Sequence, residues 1–333
     1  MIDAFAHIVP PRHLDRVEAL LTRWTPSERV KLYRSWLRED EVLGDLEARW
    51  RLLDRFPDYR QVLVLGVYPT EELGEPDQTA ELAREVNDEL AELVRDHPDR
   101  FVGFAAELPL NDIEASLQEL DRAVDELGAL GVQIHTNVNG VALDDPRFEP
   151  LFTRIHELDR TIWLHPTRSS IWSDYPSETE SRYGIWWSLG WPYETATAMA
   201  RLVYAGHMER FPGLKVVTHH GGGMIPHFSG RLVAIQTDDQ QEVFEQVFKR
   251  PALDYFRMFF ADTALFGAPH GVRSAIEFFG ADQVLFGTDM PLGGPQVIPA
   301  TLADVRSVGL SDVDEQKILQ GNAERVLGIP VRA

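Results

Sequence analysis

Short apolar runs separated by polar, helix-length intervals are the main regularity of the chain. The runs fall at 2–9, 61–68, 101–110, 132–138, 162–166, 214–220, 256–263 and 284–289, and each has the length and near-continuous hydrophobicity of a strand buried on both faces. Between them the spacing of apolar positions predicts amphipathic helices over 78–96, 113–130, 148–159, 194–210 and 272–279. Gly128, Gly131, Pro212 and Gly280 stand where those helices should stop. Eight buried strands alternating with helices predict an α/β fold, a (β/α)8 TIM barrel. The competing arrangement, an open doubly wound sheet, lacks the Gly-x-Gly-x-x-Gly turn that would follow its first strand.

Two stretches break the rhythm. Residues 10–55 are too long for a simple strand-to-helix loop and carry Trp24, Trp36 and Trp50; they are expected to form a helical insertion over the barrel mouth. Residues 167–192 hold Trp172, Tyr175, Tyr183, Trp186, Trp187 and Trp191, a density that suits substrate stacking, a subunit contact, or a loop folded on its own aromatic cluster. No repeat or low-complexity tract divides the chain, so residues 1–333 are read as one domain.

Composition narrows the partners. With 53 acidic and 32 basic residues the formal charge is −21, which repels nucleic acid and anionic membrane surfaces. An anionic substrate would need locally placed arginines. There are no cysteines, so a metal would have to be held by histidine and carboxylate. The first residues lead into an apolar strand pattern with no basic region or cleavage site, and the longest apolar runs, such as 62–67, are far short of a membrane span. A cytoplasmic location is expected.

In a barrel, functional side chains gather at the carboxyl ends of the strands. Those positions read His7, His135, His165, His219, His220, Asp262 and Asp289, so five of the 11 histidines fall there. His7, His165 and Asp289 offer two nitrogens and one oxygen, a set that suits zinc or manganese and leaves positions open for catalysis. Taken singly, His165 before Pro166 reads equally as a hydrogen-bonded core histidine, and Asp289 as the cap of a turn. The stretch 215–226 places His219 and His220 between a buried strand and three glycines, where backbone and ligand can approach closely; a glycine-rich turn with incidental histidines fits it too. His13, His97, His156, His207, His227 and His270 sit beside charged residues or proline and are expected to be solvated.

Four segments carry a resemblance to a known family: Ile2-Asp3-Ala4-Phe5-Ala6-His7, Leu164-His165-Pro166, His220-Gly221-Gly222-Gly223-x-x-Pro226 and Phe286-Gly287-Thr288-Asp289-x-Pro291. In that order they resemble the signature segments of the amidohydrolase superfamily, in the branch with aminocarboxymuconate semialdehyde decarboxylase and the resorcylate decarboxylases. The resemblance extends from residue 2 to about residue 327. It implies a distorted (β/α)8 barrel of the metal-dependent hydrolase type with one divalent ion, zinc or manganese, on His7, His165 and Asp289. It also implies that His220 is the general acid/base, working beside Asp289. By spacing, Arg49 resembles an arginine that binds a substrate carboxylate, and Arg231 one supplied across a homodimer interface. A solvated helix face and a surface ion pair are the plain alternatives for these two arginines.

One position departs from the pattern. The first member of the strand-one ligand pair is Phe5, which has no donor atom. Either solvent completes the metal site, or His220 or His219 fills the vacancy, or the site is poor in metal. The expected activity is non-oxidative decarboxylation of a small unsaturated or aromatic carboxylic acid, with Trp187 and Trp191, beside Trp186, walling the pocket. Hydrolysis or hydration of a lactone, amide or unsaturated acid uses the same residues. A degenerate barrel that binds an acidic metabolite without chemistry is the reading that Phe5 favours.

Overall fold

The structure is a computed structural model that describes residues 1–21, 34–35, 41–66, 68–234 and 237–331. Seven parallel strands form one curled sheet: Ile2–Ile8, Arg60–Leu65, Phe101–Ala106, Gly131–His135, Thr161–His165, Lys215–Thr218 and Phe260–Ala261. They pair in chain order, which is what right-handed strand–helix–strand units produce. Helices cover the outer face and side chains fill the inner one, so nearly every strand residue is buried and the strands read as continuous apolar runs. Gly131 illustrates how tightly neighbours approach: a Cβ there would lie 1.9 Å from the carbonyl oxygen of Thr161, its register partner on the next strand.

The eighth expected strand is the first correction. Residues 284–289 make only one isolated bridge, Val284 with Ala261, in place of a ladder. The segment is nonetheless bonded on both sides. Leu285 N donates to Ala261 O at 2.8 Å, while Ala4 N donates to Phe286 O at 2.8 Å and His7 N to Met290 O at 2.7 Å. The segment ends at Asp289, which turns to a φ of 64°, out of extended geometry. A side chain holds the segment instead. The buried Asp3 carboxylate accepts from Thr288 N at 3.1 Å, from the Thr288 hydroxyl and from the Tyr59 hydroxyl. The fold is therefore a seven-stranded, barrel-like sheet with an eighth segment between its edges.

Helix boundaries follow caps that periodicity alone misplaces. Pro76–Asp96 starts two residues before the predicted 78, with proline in its first turn and Gln78 Oε1 accepting from Glu75 N at 3.2 Å. Ile113–Asp125 is capped by Asp112, which accepts from Ala115 N at 3.1 Å. The predicted 194–210 helix is two, Gly190–Tyr204 and His207–Arg210, parted at Gly206 with φ 80°.

Of the first insertion, the described parts are the helices Pro11–Leu21, Glu41–Gly44 and Leu46–Leu53; Trp24 and Trp36 lie outside the described residues. Pro11–Leu21 packs against Pro76–Asp96, where Arg12 pairs with Glu92 and Arg16 with Glu81. Two histidines expected in solvent are buried: His13 under that helix and His207 against Phe152, each 2% exposed. Charged sequence neighbours did not reveal them because a helix sends adjacent residues to different faces. His97 and His156 are half-buried, and only His227 and His270 of the six are exposed. No helix among the described residues is long and apolar enough to cross a membrane.

Candidate active site

The inner end of the first strand carries Asp3, Phe5 and His7 on one face, because side chains two apart share a face. His7 is fully buried, and its Nδ1 donates to Leu65 O at 3.2 Å, since a carbonyl can only accept. That bond fixes the tautomer and leaves the Nε2 lone pair pointing inward. His165 is set the same way by Pro166 O at 2.7 Å, and His220 by Ala264 O at 2.9 Å. His219 differs: its Nδ1 is bonded to the Asp262 carboxylate.

The donor atoms converge. Asp289 Oδ1 lies 3.0 Å from His7 Nε2 and 3.1 Å from His219 Nε2, and the ligand atoms of His7, His165 and His219 all lie within 4.8 Å of one another. His7 Nε2, His219 Nε2 and Asp289 Oδ1 are buried with no hydrogen-bond partner outside this group. Buried polar atoms without partners are costly, and three of them aimed at one point fit a bound cation. The chemistry of the set, imidazole nitrogen with carboxylate oxygen, suits zinc or manganese.

Backbone geometry explains how two consecutive histidines meet at this point. In a continuing strand His219 and His220 would face opposite ways. Instead His220 has φ 55° and Gly221 to Gly223 have φ of 64°, 77° and 60°, so the chain folds over. The two imidazoles stack with centroids 3.9 Å apart. Glycine is required twice more for space: a Cβ on Gly222 would lie 2.7 Å from the Phe279 ring, and one on Gly223 2.4 Å from Pro192 O.

Electrostatics separate the two rings. Burial lowers a histidine pKa, but the carboxylates of Asp262 and Asp289 outweigh it at His219 and hold that ring up to about 10. At His220 burial prevails, helped by the neighbouring His219, and the pKa falls to about 4, so the ring is neutral at pH 7. His165 is held well below its usual value by burial and then by His7, His219 and His135. Burial would raise Asp289, yet His219 and His7 keep it well below the ordinary carboxylate range.

A cavity of about 520 Å³ opens onto this cluster, large enough for a small organic ligand. His165, His220 and Asp289 form its polar floor. Trp186, Trp187, Trp191, Leu265, Phe266 and Leu292 are among its walls, with no arginine or lysine among the described lining residues. Trp191 lies parallel to His220 with centroids 6.5 Å apart and meets His165 edge-on at 5.5 Å. The aromatic stretch after the fifth strand thus divides. Trp186, Trp187 and Trp191 line the cavity, Trp172 lines a smaller polar cleft with Asn137 and Arg168, and Tyr175 and Tyr183 are exposed.

The structure brings together His7, His165, His220 and Asp289 as the sequence suggests, but not the arginines. Arg49 is completely buried, neither on a solvated helix face nor on the cavity wall. Its guanidinium donates to His7 O at 3.1 Å from Nη1 and lies 3.4 Å from Met290 Sδ, so it grips the backbone behind a site residue. Arg231 is exposed on the helix Ile225–Leu232 and is not among the residues lining the cavity. Two carboxylates escaped a role in the sequence reading. Asp3 pins Thr288 beside Asp289, and Asp262 orients His219. The position of Asp262 at a strand end was the one available signal.

Comparison with known proteins follows the same lines. The family model described as amidohydrolase matches residues 2–329. A 2-amino-3-carboxymuconate-6-semialdehyde decarboxylase of Dictyostelium discoideum is 32% identical over 76% of this chain and 68% of its own length. A gamma-resorcylate decarboxylase of Polaromonas is 31% identical over 86% of this chain and 88% of its own. Among solved structures, a dihydroxybenzoic acid decarboxylase of Polaromonas with bound manganese and the inhibitor 2-nitroresorcinol superposes with a TM-score of 0.76 at 26% identity, covering 98% of this chain and 96% of that one. Motifs, fold and similarity over nearly the whole length agree: the chain belongs to the amidohydrolase family, in the branch that holds these decarboxylases.

Proposed function

We propose that the protein is a metal-dependent carboxy-lyase that removes CO2, without oxidation, from a small aromatic or unsaturated carboxylic acid. The observation that carries the reading is the floor of the cavity, where His220 stands beside Asp289 and His165 under a wall of tryptophan. Its family supports the reaction class, since the two sequence relatives described above are decarboxylases.

His7, His165 and Asp289 would hold the divalent ion, zinc or manganese; the donor atoms of His7 and His165 group with His219, and Asp289 groups with His219 and His220, and manganese is the ion bound in the Polaromonas structure. When bound, the ion supplies a Lewis acid toward the substrate's oxygen atoms. His220 moves the proton. Its Nδ1 is tethered to Ala264 O, so Nε2 takes a proton from water or a substrate hydroxyl and gives it to the carbon bearing the carboxylate. The bond from that carbon to the carboxylate then breaks, CO2 leaves, and the electron pair returns to the unsaturated system. The net change is carboxylate plus one proton giving CO2 and a C–H bond.

Trp186, Trp187 and Trp191 flank a flat substrate and exclude water. Arg231, exposed on its helix, would reach a carboxylate only in a neighbouring copy, which is the basis for expecting a homodimer. A monomeric mass in solution would remove that part of the proposal.

The test is CO2 release from a panel of hydroxylated aromatic acids by the wild-type protein and by His220→Asn. The variant should lose roughly 10²- to 10⁴-fold in turnover while keeping its metal. Normal turnover in His220→Asn would refute the proton-transfer role, and ring opening or amide cleavage without CO2 would refute the lyase reading.

A further inference from the structure

We propose that His219 is a protein ligand of the divalent ion in this chain, supplying from the sixth strand the donor that Phe5 withholds on the first. The inference rests on the metal-dependent reading above and concerns only how the ion is held.

Geometry carries it. His219 Nε2 and His7 Nε2 lie 3.1 Å and 3.0 Å from the same oxygen, Asp289 Oδ1. An ion with bonds of about 2.0–2.2 Å sets its neighbouring ligand atoms about 3.0–3.4 Å apart. The spacing is thus that of ligands around one centre, and these three buried atoms have no polar partner outside their own group.

The other ring nitrogen is prepared for the same role. Metal-bound histidines commonly donate their second N–H to a carboxylate, which orients the ring and raises its basicity. His219 Nδ1 has that partner in Asp262 Oδ2. Asp262 is itself immobilised, since its Oδ1 accepts from Gly221 N at 3.0 Å and from Ala264 N at 3.2 Å. Nothing comparable is built around Phe5. Its ring instead lies flat on His219, with centroids 3.9 Å apart, and fixes the plane of the imidazole from the side where the missing donor would stand.

His220, the other neighbour able to fill the vacancy, is placed for a different task. The donor atoms of His219, His220 and Asp289 lie within 4.8 Å of one another, but His220 lines the cavity with its Nδ1 held by a backbone carbonyl, Ala264 O, whereas His219 has a carboxylate on Nδ1 and its Nε2 3.1 Å from Asp289 Oδ1. The two consecutive histidines therefore divide the work: the first holds the ion and the second moves the proton. The rival account is a purely structural triad in which a charged His219 bridges Asp262 and Asp289 and keeps a cation away.

Metal binding measured without substrate separates the two. Wild-type protein, His219→Ala, Asp262→Asn and the double variant Phe5→His with His219→Ala are equilibrated with buffered zinc and, separately, manganese, and bound metal is counted by mass spectrometry. His219→Ala should bind at least a hundredfold more weakly than wild type, and Asp262→Asn roughly tenfold to a hundredfold more weakly. Adding Phe5→His should recover at least tenfold of what His219→Ala loses. Unchanged affinity in His219→Ala overturns the proposal. Should the variants fail to fold, the anomalous map of zinc-loaded wild-type crystals decides: an ion about 2.0–2.1 Å from His219 Nε2 supports the assignment. An ion on His7, His165 and Asp289 alone, with His219 Nε2 out of bonding range, overturns it. CO2 release by the same zinc- or manganese-loaded wild type is an independent readout, so the lyase reading can stand while this assignment falls.

Discussion

The ring of Phe5 lies 14° from parallel with the imidazole of His219, at a centroid separation of 3.9 Å. Both side chains are completely buried, so this contact joins the first strand to the sixth inside the barrel-like sheet. Replacing Phe5 with alanine would open a cavity at the heart of the site. The expected loss is about 3–5 kcal/mol in urea unfolding, and Phe5→Leu should cost clearly less. A loss below about 1 kcal/mol for Phe5→Ala would show that the ring is not the packing element it is taken for here.

Arg49 offers a sharp choice between two roles. Its guanidinium donates to the His7 carbonyl in a fully buried setting, and a hydrogen bond to a charged donor contributes about 1.5–3 kcal/mol. Arg49→Met should lower stability by about that amount while KM, measured well below the melting temperature, stays within about threefold of wild type. A tenfold or larger rise in KM with stability unchanged would restore the carboxylate-binding role that sequence spacing suggests.

Trp191 forms the wall nearest the polar floor, in edge contact with both His165 and Trp186. Trp191→Ala should reduce kcat/KM roughly tenfold to a hundredfold, the equivalent of losing about 1.4–3 kcal/mol of apolar contact in the transition state. Trp187 is 47% exposed and should give the smaller effect when changed to alanine. Steady-state kinetics on the best substrate of the panel would check the order.

The buried Glu107 should leave a mark on the pH dependence of stability. Burial pushes its carboxyl up to about 8, against the opposing hydrogen bonds of Thr70 and Gln133. Between pH 4.5 and 8 the folded protein therefore keeps a proton that the unfolded chain has released. That contribution is complete below about pH 4.5 and is lost as pH rises through 8. Urea unfolding at pH 5 and pH 8.5 should show a decline for the wild type that is visibly shallower in Glu107→Gln. Equal declines would mean that Glu107 ionises normally.

Much of this fold was legible because burial on both faces leaves a local trace. Seven of the eight expected strands are present, while residues 284–289 make one isolated bridge and end at Asp289, whose left-handed backbone no periodicity announces. The meeting of His7, His165 and Asp289 at one end of the sheet was legible for a related reason, since each stands where a strand or strand-like run stops. The burial of Arg49 was not legible because its environment comes from the first strand and from Met290, which is 241 residues away along the chain. His13 and His207 were misread likewise, their polar sequence neighbours pointing outward while they themselves pack inward.

By itself, the sequence determined the order of buried strands, the residue types able to hold a cation, and the vacancy that Phe5 leaves. The tertiary structure alone separated the positions of His219 and His220. Consecutive residues in a strand face opposite ways, so which ring reaches the Asp289 oxygen depends on where extended geometry ends. Here it ends between them. The turn at His220 stacks the two rings, leaving His219 between Asp262 and Asp289 and His220 on the cavity floor.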